Sequence, residues 1–188
     1  SEAADRYGLD AGKATLLVVG GSLGAETINR IALACAHSDD RNYQIIHITG
    51  PKYHEAISAE IEPCPDGVTL VDYENKMAEA YAMADLVLCR AGSSTLAELT
   101  AIGKPSVLVP SPNVTDNHQE GNARGLEEVG AAVVVVEQDL NIEATVAQIG
   151  SLLGDRATLE QMAKSAKSQA HLDTADKVAS LLAEQFLS

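Results

Sequence analysis

The chain has 188 residues, of which 46% are hydrophobic and 21% charged, as is typical of one globular domain with a sizeable core. Its formal net charge of −14 argues against nonspecific nucleic-acid binding, because that binding depends on clustered lysine and arginine side chains. These values predict a single acidic domain, residues 1–188, and no nucleic-acid partner.

The cysteine pattern and the hydropathy indicate a cytoplasmic protein. The three cysteines lack CxxC spacing and are odd in number, so we expect free thiols in a reducing compartment. No apolar run reaches the roughly 20 residues that span a bilayer, and the first residues lack a secretory signal pattern.

Short aliphatic runs alternate with longer helical patterns along the chain, which is typical of βαβ units. Most of the runs are apolar without alternation, as expected for strands covered on both faces. The six predicted strands are Thr15–Val19, Gln44–Ile48, Val68–Val71, Leu86–Cys89, Ser106–Val109 and Ala132–Val136. The predicted helices between them are Ala25–Ala36, Lys52–Glu60, Lys76–Met83, Thr95–Ile102 and Asn117–Val129, with Ile142–Leu153, Arg156–Ala170 and Thr174–Phe186 at the C-terminal end. The fold class is therefore α/β, a Rossmann-like doubly wound six-stranded parallel sheet with C-terminal helices.

The loop after the first strand is rich in glycine. Gly21 and Gly24 allow a tight turn and close approach to a ligand, and Ser22 adds a hydroxyl. The pattern is neither GxGxxG nor a Walker A loop, and the lack of a following Lys-Ser/Thr argues against ATP hydrolysis. The alternative is that the glycines serve the geometry of the turn alone.

The loop after the fourth strand leads from Arg90 through Gly92 to a helix that contains Glu98. Backbone amides and small hydroxyls at a helix N-terminus, here from Ser94 and Thr95, suit a phosphate group. A carboxylate one turn further could bind a ribose diol. The alternative is a purely structural capping box between Thr95 and Glu98, and Arg90 could equally be an ion-pair partner or a ligand contact.

The segment after the fifth strand is long and polar. A cap formed by Asp116 and Gln119 is one explanation, but it does not account for Gly121 and Asn122, which disfavour their own helix. Gln119 and Asn122 share one helix face and could both bind sugar hydroxyls, and His118 could donate to a phosphate or hydroxyl.

A metal site is not expected. No second ligand lies at suitable spacing beside His118, and His37, His47, His54 and His171 are interpreted as structural or surface residues. No DxD pair is present, and a helix N-terminus can stabilise a leaving diphosphate without a metal ion. The sequence therefore predicts neither a metal nor a cofactor.

Taken together, these motifs resemble the C-terminal, donor-binding domain of the MurG family over about Thr15 to Leu182. The matching stretches are Leu17–Ala25 with Asn29, Met77–Ala78, Ala84–Leu86, Arg90–Glu98, Gly103–Pro105, Val109–Pro110, His118–Gln119 and Asn122–Ala123. That family transfers N-acetylglucosamine from its UDP donor to undecaprenyl-diphosphoryl-muramoyl-pentapeptide, the step that makes lipid II in peptidoglycan synthesis.

The resemblance implies one half of a GT-B glycosyltransferase and a role for each candidate residue. Ser22 would contact the donor diphosphate, Glu98 the ribose hydroxyls, and Gln119 and Asn122 the N-acetylglucosamine. Backbone groups near Ala78 to Ala82 would recognise uracil.

In the family, the N-terminal half carries the proposed catalytic histidine, the acceptor site and a membrane-binding patch. This half is absent from the sequence, so the resemblance implies donor binding without turnover, and a parent enzyme peripheral on the cytoplasmic face of the bacterial membrane. Two alternatives are a donor-binding subunit of a two-subunit lipid-linked transferase and a non-catalytic nucleotide-sugar-binding module.

Overall fold

A six-stranded, fully parallel sheet organises the computed structural model, which describes residues 2–112 and 118–170. The strand order is β3-β2-β1-β4-β5-β6, the order of a doubly wound, Rossmann-like sheet. The strands are β1 (Thr15–Val19), β2 (Gln44–Ile48), β3 (Val68–Val71), β4 (Leu86–Cys89), β5 (Ser106–Leu108) and β6 (Ala132–Val134). All six predicted strands are confirmed, with β5 one residue and β6 two residues shorter than expected.

Eight helices flank the sheet within the described residues. They are α1 (Glu2–Tyr7), α2 (Glu26–Ala36), α3 (His54–Glu60), α4 (Met77–Met83), α5 (Ser93–Ile102), α6 (His118–Glu128), α7 (Ile142–Gly154) and α8 (Arg156–Ser168). The predicted helices are confirmed to within two residues at each described end. The prediction for Thr174–Phe186, and Asn117 at the predicted start of α6, lie outside the described residues.

Helix α1 was missed by the sequence reading. It has only six residues, so its periodicity is too short to recognise, and a single buried carboxylate holds it in place. Glu74, in the loop after β3, accepts hydrogen bonds from Arg6 Nη2 at 2.7 and 3.0 Å and from Tyr7 Oη at 2.8 Å. Its Oε1 also accepts from the backbone amide of Lys76 at 2.6 Å. The helix therefore docks beside the start of α4 through a contact distant in sequence.

Alternate residues of the central strands pack into two separate hydrophobic cores. Leu16 and Leu88 face a core with α2, α3 and α7, and Leu17 and Val87 face one with α1, α4, α5 and α6. Burial on both faces explains why the strands are continuously apolar. Because α2 and α5 leave neighbouring strands for opposite faces, the sheet changes winding direction between β1 and β4.

Candidate functional site

The change of winding direction between β1 and β4 creates a crevice at the carboxyl edge of the sheet. Val19 pairs with Cys89 at this edge, so the loops that start at residues 20 and 90 leave the sheet side by side. Ligands of open α/β sheets bind at such switch points. The structure thus brings together the first two loops that carry predicted site residues.

The loop after β1 is shaped by contact with the loop after β2. Gly24 has a φ of 76°, and a β-carbon there would overlap the carbonyl oxygen of Thr49. A β-carbon on Gly50 would lie 2.5 Å from the Cα of Gly24. Gly24 is therefore required by the geometry of the turn, whereas Gly21 and Ser22 are exposed at the edge of the crevice.

Helix α5 begins at Ser93, two residues earlier than predicted. Gly92 is its N-cap and has no side chain to accept from the first-turn amides, so Ser93, Ser94 and Thr95 form the first turn. The capping-box alternative is wrong, because Thr95 lies inside the helix and the Glu98 carboxylate is bonded elsewhere. Within the described part of the chain, no side chain caps the first-turn amides of α5, and such amides suit an anionic group.

Glu98 lies five residues after the first residue of α5, with its side chain exposed to solvent. Its Oε2 accepts a hydrogen bond of 2.9 Å from the hydroxyl of Tyr81 on α4. Burial raises the pKa of Tyr81 above its ordinary value, and the Glu98 carboxylate raises it further, so the phenol stays a donor. Sequence reasoning missed Tyr81, because no motif or spacing in the sequence indicates which residue of α4 will contact a given residue of α5.

Arg90, which follows β4, links the end of that strand to the segments after β5 and β6. Its Nη1 donates to the carbonyl oxygens of Val109 at 3.1 Å and Pro110 at 3.2 Å. Its Nη2 forms an ion pair of 2.5 Å with Glu137, in a short 3₁₀ turn after β6. Of the two roles considered for Arg90, these contacts favour the structural one.

The first turns of α6 carry the three polar candidates that follow β5. His118 and Asn122 are exposed, and Gln119 is half-buried. The Gln119 Oε1 accepts from the backbone amide of Ser111 at 2.9 Å, which fixes the carboxamide and leaves its NH₂ group as a donor. Asn122 and Ser93 both line a cleft of about 490 Å³ between α5 and α6.

The segment Ala78 to Ala82 lies inside α4. Helical backbone groups pair with one another beyond the first turn, so few remain to recognise a base there. An apolar cleft of about 540 Å³ between α4 and α5 is lined by Met77, Tyr81, Ile102 and their neighbours, with Glu98 at its wall.

Two further predictions concern cysteines and metals. Cys35, Cys64 and Cys89 are free thiols, as predicted. Within residues 2–112 and 118–170, no three histidine, cysteine or acidic side chains gather in a group that could hold a metal ion. In the same described part of the chain, no helix is long and apolar enough to cross a membrane.

The sequence matches a known family and many of its members. The profile of the glycosyltransferase family 28 C-terminal domain matches residues 15–178. A protein of Oenococcus oeni named UDP-N-acetylglucosamine–N-acetylmuramyl-(pentapeptide) pyrophosphoryl-undecaprenol N-acetylglucosamine transferase is 40% identical over 183 residues, covering 95% of this chain and 49% of that protein. The protein of the same name from Acetivibrio thermocellus is 44% identical over 166 residues, covering 87% of this chain and 45% of that protein. The chain thus spans about half the length of these relatives.

Solved structures show the same architecture. The crystal structure of Acinetobacter baumannii MurG superposes with a TM-score of 0.81 at 31% identity, covering 97% of this chain and 53% of that one. The calicheamicin glycosyltransferase CalG4 superposes with a TM-score of 0.69 at 22% identity, over 94% of this chain and 45% of that one. The second match concerns the fold alone.

Proposed function

Because the chain belongs to the family of glycosyltransferase family 28 C-terminal domains, we propose that it binds UDP-N-acetylglucosamine as the donor half of an N-acetylglucosaminyltransferase. The observation that carries the proposal is the placement of Glu98. This exposed carboxylate lies on the second turn of α5, and the first turn of the same helix follows β4 at the β1/β4 switch point without a side-chain cap, so one helix can hold both a ribose and its diphosphate.

Each remaining candidate has a role in this proposal. The amides of the first turn of α5, with Ser94, Thr95 and Ser22, bind the diphosphate. Gln119 donates its NH₂ group to the sugar, and Asn122 and His118 contact the same part of the donor. Gly21 and Gly24 give the β1 loop, which carries Ser22, its turn conformation. Arg90 stabilises the carboxyl edge of the sheet through its bond to the Val109 carbonyl.

The reaction we propose for the complete enzyme is direct displacement at the anomeric carbon. A base in the other half takes the proton of the acceptor hydroxyl, whose oxygen bonds to the anomeric carbon as the bond to UDP breaks. The first turn of α5 and Ser22 stabilise the charge that develops on the departing diphosphate. The name shared by the relatives supports undecaprenyl-diphosphoryl-muramoyl-pentapeptide as the acceptor, hence lipid II as the product at the cytoplasmic face of the membrane.

The half-length match supports an N-terminal acceptor domain as the partner of this chain. Both curated relatives continue well beyond the matched region and carry the transferase name, which favours a two-domain enzyme over a subunit of a two-subunit transferase. It also favours an enzyme over a non-catalytic sugar-nucleotide module.

Calorimetric titration of the purified chain with UDP-N-acetylglucosamine tests the proposal. We expect saturable binding that Glu98→Ala weakens by about tenfold or more, because hydrogen bonds to a carboxylate are among the strong ones. Glu143→Ala is the matched control, since Glu143 is also an exposed glutamate of a helix but lies on α7, beside the C-terminal end of α2.

A GDP-sugar serves as competitor and reports on base selectivity. Failure of the GDP-sugar to displace the donor supports a uridine site. Donor binding that Glu98→Ala leaves unchanged would contradict the site, and so would a wild-type chain that shows no binding at millimolar donor, alone or together with the N-terminal half.

A further inference from the structure

Tyr81 of α4 is hydrogen-bonded to Glu98, the candidate ribose-binding carboxylate at the wall of the cleft between α4 and α5. Its hydroxyl donates to Glu98 Oε2 at 2.9 Å, and this bond joins α4 to α5 through two residues that are 17 positions apart in the sequence. The two side chains differ in exposure, because Tyr81 is only 7% exposed and Glu98 lies at the surface. The buried phenol of Tyr81 is therefore bonded to the solvent-exposed carboxylate of Glu98.

The rigidity of Tyr81 comes from its packing. Its neighbour Ala80 is fully buried, and both belong to the core that also contains Val87 of β4 and Leu99 of α5. Because these residues fix α4 against the sheet, the Tyr81 hydroxyl has a defined position relative to α5. The phenol also remains protonated, for the reasons given above, so it can only donate to the carboxylate.

An exposed glutamate has three rotatable side-chain bonds and loses that freedom when it binds a ligand. The bond from Tyr81 selects one conformation of Glu98 beforehand. Within residues 2–112 and 118–170, the other oxygen, Oε1, has no hydrogen-bond donor. Side chains on a helix lean toward its N-terminus, so we expect the Glu98 carboxylate to extend over the turn of α5 that contains Ser94.

We propose that Tyr81 is a positioning residue for nucleotide binding: it orients Glu98 so that Oε1 accepts hydrogen bonds from the ribose hydroxyls of the donor. This inference rests on the proposed function, since it takes Glu98 as the ribose-binding group. It assigns a specificity role to a side chain of α4 that does not itself touch the ligand. Ribose recognition then depends on the packing of α4 against α5.

A double-mutant cycle between protein and ligand tests the inference. The variants are Tyr81→Phe, Glu98→Ala and the two combined, each titrated with UDP and with 2′,3′-dideoxy-UDP, which lacks both ribose hydroxyls. We expect Tyr81→Phe to weaken UDP binding by about threefold to tenfold, the range of one hydrogen bond, and to affect 2′,3′-dideoxy-UDP by less than about twofold. In the Glu98→Ala background, Tyr81→Phe should have no further effect on UDP.

Tyr43→Phe is the matched control. Tyr43 is 4% exposed, but it packs on the opposite face of the sheet, just before β2 and against α7. Its variant should bind both ligands like the wild type. The melting temperature of every variant shows whether the fold is retained.

The outcomes separate the inference from the proposed function. If Tyr81→Phe weakens both ligands equally, or still weakens UDP binding without Glu98, Tyr81 only braces the fold and the inference is overturned. If Glu98→Ala itself leaves UDP affinity unchanged, or if the wild type binds no UDP, the assignment of Glu98 to the ribose is wrong and the proposed function falls with it.

Discussion

His47 Nε2 lies 2.9 Å from Asn29 Oδ1, and both side chains are buried between β2 and α2. Asn29 Nδ2 donates to the Thr49 carbonyl at 3.1 Å, so its Oδ1 must accept, and the imidazole carries its proton on Nε2. Thr49 in turn contacts Gly24. This pair therefore lies directly beneath the glycine loop, and its protonation matters for the stability of the loop.

Acidification should destabilise the fold through His47. Burial, together with the smaller effect of the nearby His54, lowers the pKa of His47 to about 4. The unfolded chain, with an ordinary pKa near 6.5, takes up this proton first, so stability is complete above about pH 6.5 and falls as the pH drops toward 4. We expect a loss of up to about 3 kcal/mol across this window, measured by urea unfolding at a series of pH values.

The variant His47→Gln isolates this contribution, because glutamine can still donate to Asn29 but does not titrate. Its unfolding free energy should depend less steeply on pH between 6.5 and 4 than that of the wild type. Parallel pH profiles for the two proteins would contradict the prediction.

Substitution of Gly24 should distort the loop that carries Ser22. Gly24→Ala places a β-carbon against the Thr49 carbonyl at a positive φ, and we expect a loss of about 2–4 kcal/mol in unfolding free energy. Gly125→Ala is the control, since a β-carbon on this α6 residue meets no other described atom within 4 Å. It should stabilise the chain by about 1 kcal/mol, as Ala is the better helix former. Equal effects of the two variants would contradict the argument.

Arg90 should be needed for stability more than for ligand contact. Arg90→Ala removes the bonds to Val109 and Pro110 and the ion pair with Glu137, and we expect a loss of about 1–3 kcal/mol in chemical unfolding. Glu137→Gln should cause a smaller loss in the same direction. If Arg90→Ala abolishes UDP binding while Glu137→Gln leaves it intact, Arg90 contacts the ligand directly and the structural assignment is wrong.

Glu74 should anchor α1 in a pH-dependent way. Burial acts to raise the pKa of Glu74, but the Lys76 amide, the Tyr7 hydroxyl and the Arg6 charge outweigh it and hold the pKa below its ordinary value of 4.5. Its stabilising effect is therefore present above that value and is lost as the pH falls below it. Glu74→Gln should lower the melting temperature at pH 7 by about 4–8 °C.

Glu79, which also pairs with Arg6, provides the comparison for Glu74. Glu79 is 30% exposed and pairs with Arg6 at 3.3 Å and Lys76 at 2.8 Å, so Glu79→Gln should change the melting temperature little. The Glu74→Gln difference should shrink at acidic pH, and a difference that persists at pH 3 would count against the assignment.

Gln119 should determine affinity for the sugar rather than for the nucleotide. Gln119→Glu keeps an acceptor for the Ser111 amide but removes the NH₂ donor. We expect the ratio of UDP-N-acetylglucosamine to UDP affinity to fall by about threefold to tenfold, the range of one hydrogen bond. The ratio cancels general charge repulsion, and Gln148→Glu on the exposed face of α7 controls for it. An unchanged ratio would show that Gln119 does not contact the sugar.

Most of the fold could be predicted because its signals are local. Continuous apolar runs such as Gln44–Ile48 mark strands that are buried on both faces, and the loops between them carry glycine and polar residues. Helix α1 could not be predicted in this way, since Glu74 holds it from a distance of almost 70 residues along the chain. Helix α5 starts two residues earlier than predicted because Gly92 adopts the extended N-cap conformation. Thr95 therefore lies inside the helix, and Thr95 and Glu98 do not form the capping box that their spacing suggests.

The sequence predicts which residues form the candidate site but not the contacts that hold them. The positions of Ser22, Glu98 and Gln119 follow from strand order and helix spacing. The partners of Glu98 and Arg90 do not, because Tyr81, Val109 and Glu137 reach them only after the helices and the 3₁₀ turn have packed. Sequence spacing therefore located the groups, and tertiary packing decided how each is held.

The close contact between Gly24 and Gly50 prevents the β1 loop from accepting larger side chains, whereas α6 has room for them. Neighbouring backbone preorganises the β1 loop, so in the proposed donor site little ordering entropy is lost on binding a diphosphate there. Helix α6 is different, because β-carbons at Gly121 and Gly125 would meet no described atom within 4 Å. Laboratory evolution toward other donor sugars should therefore succeed by adding side chains along α6, while the β1 loop keeps its glycines.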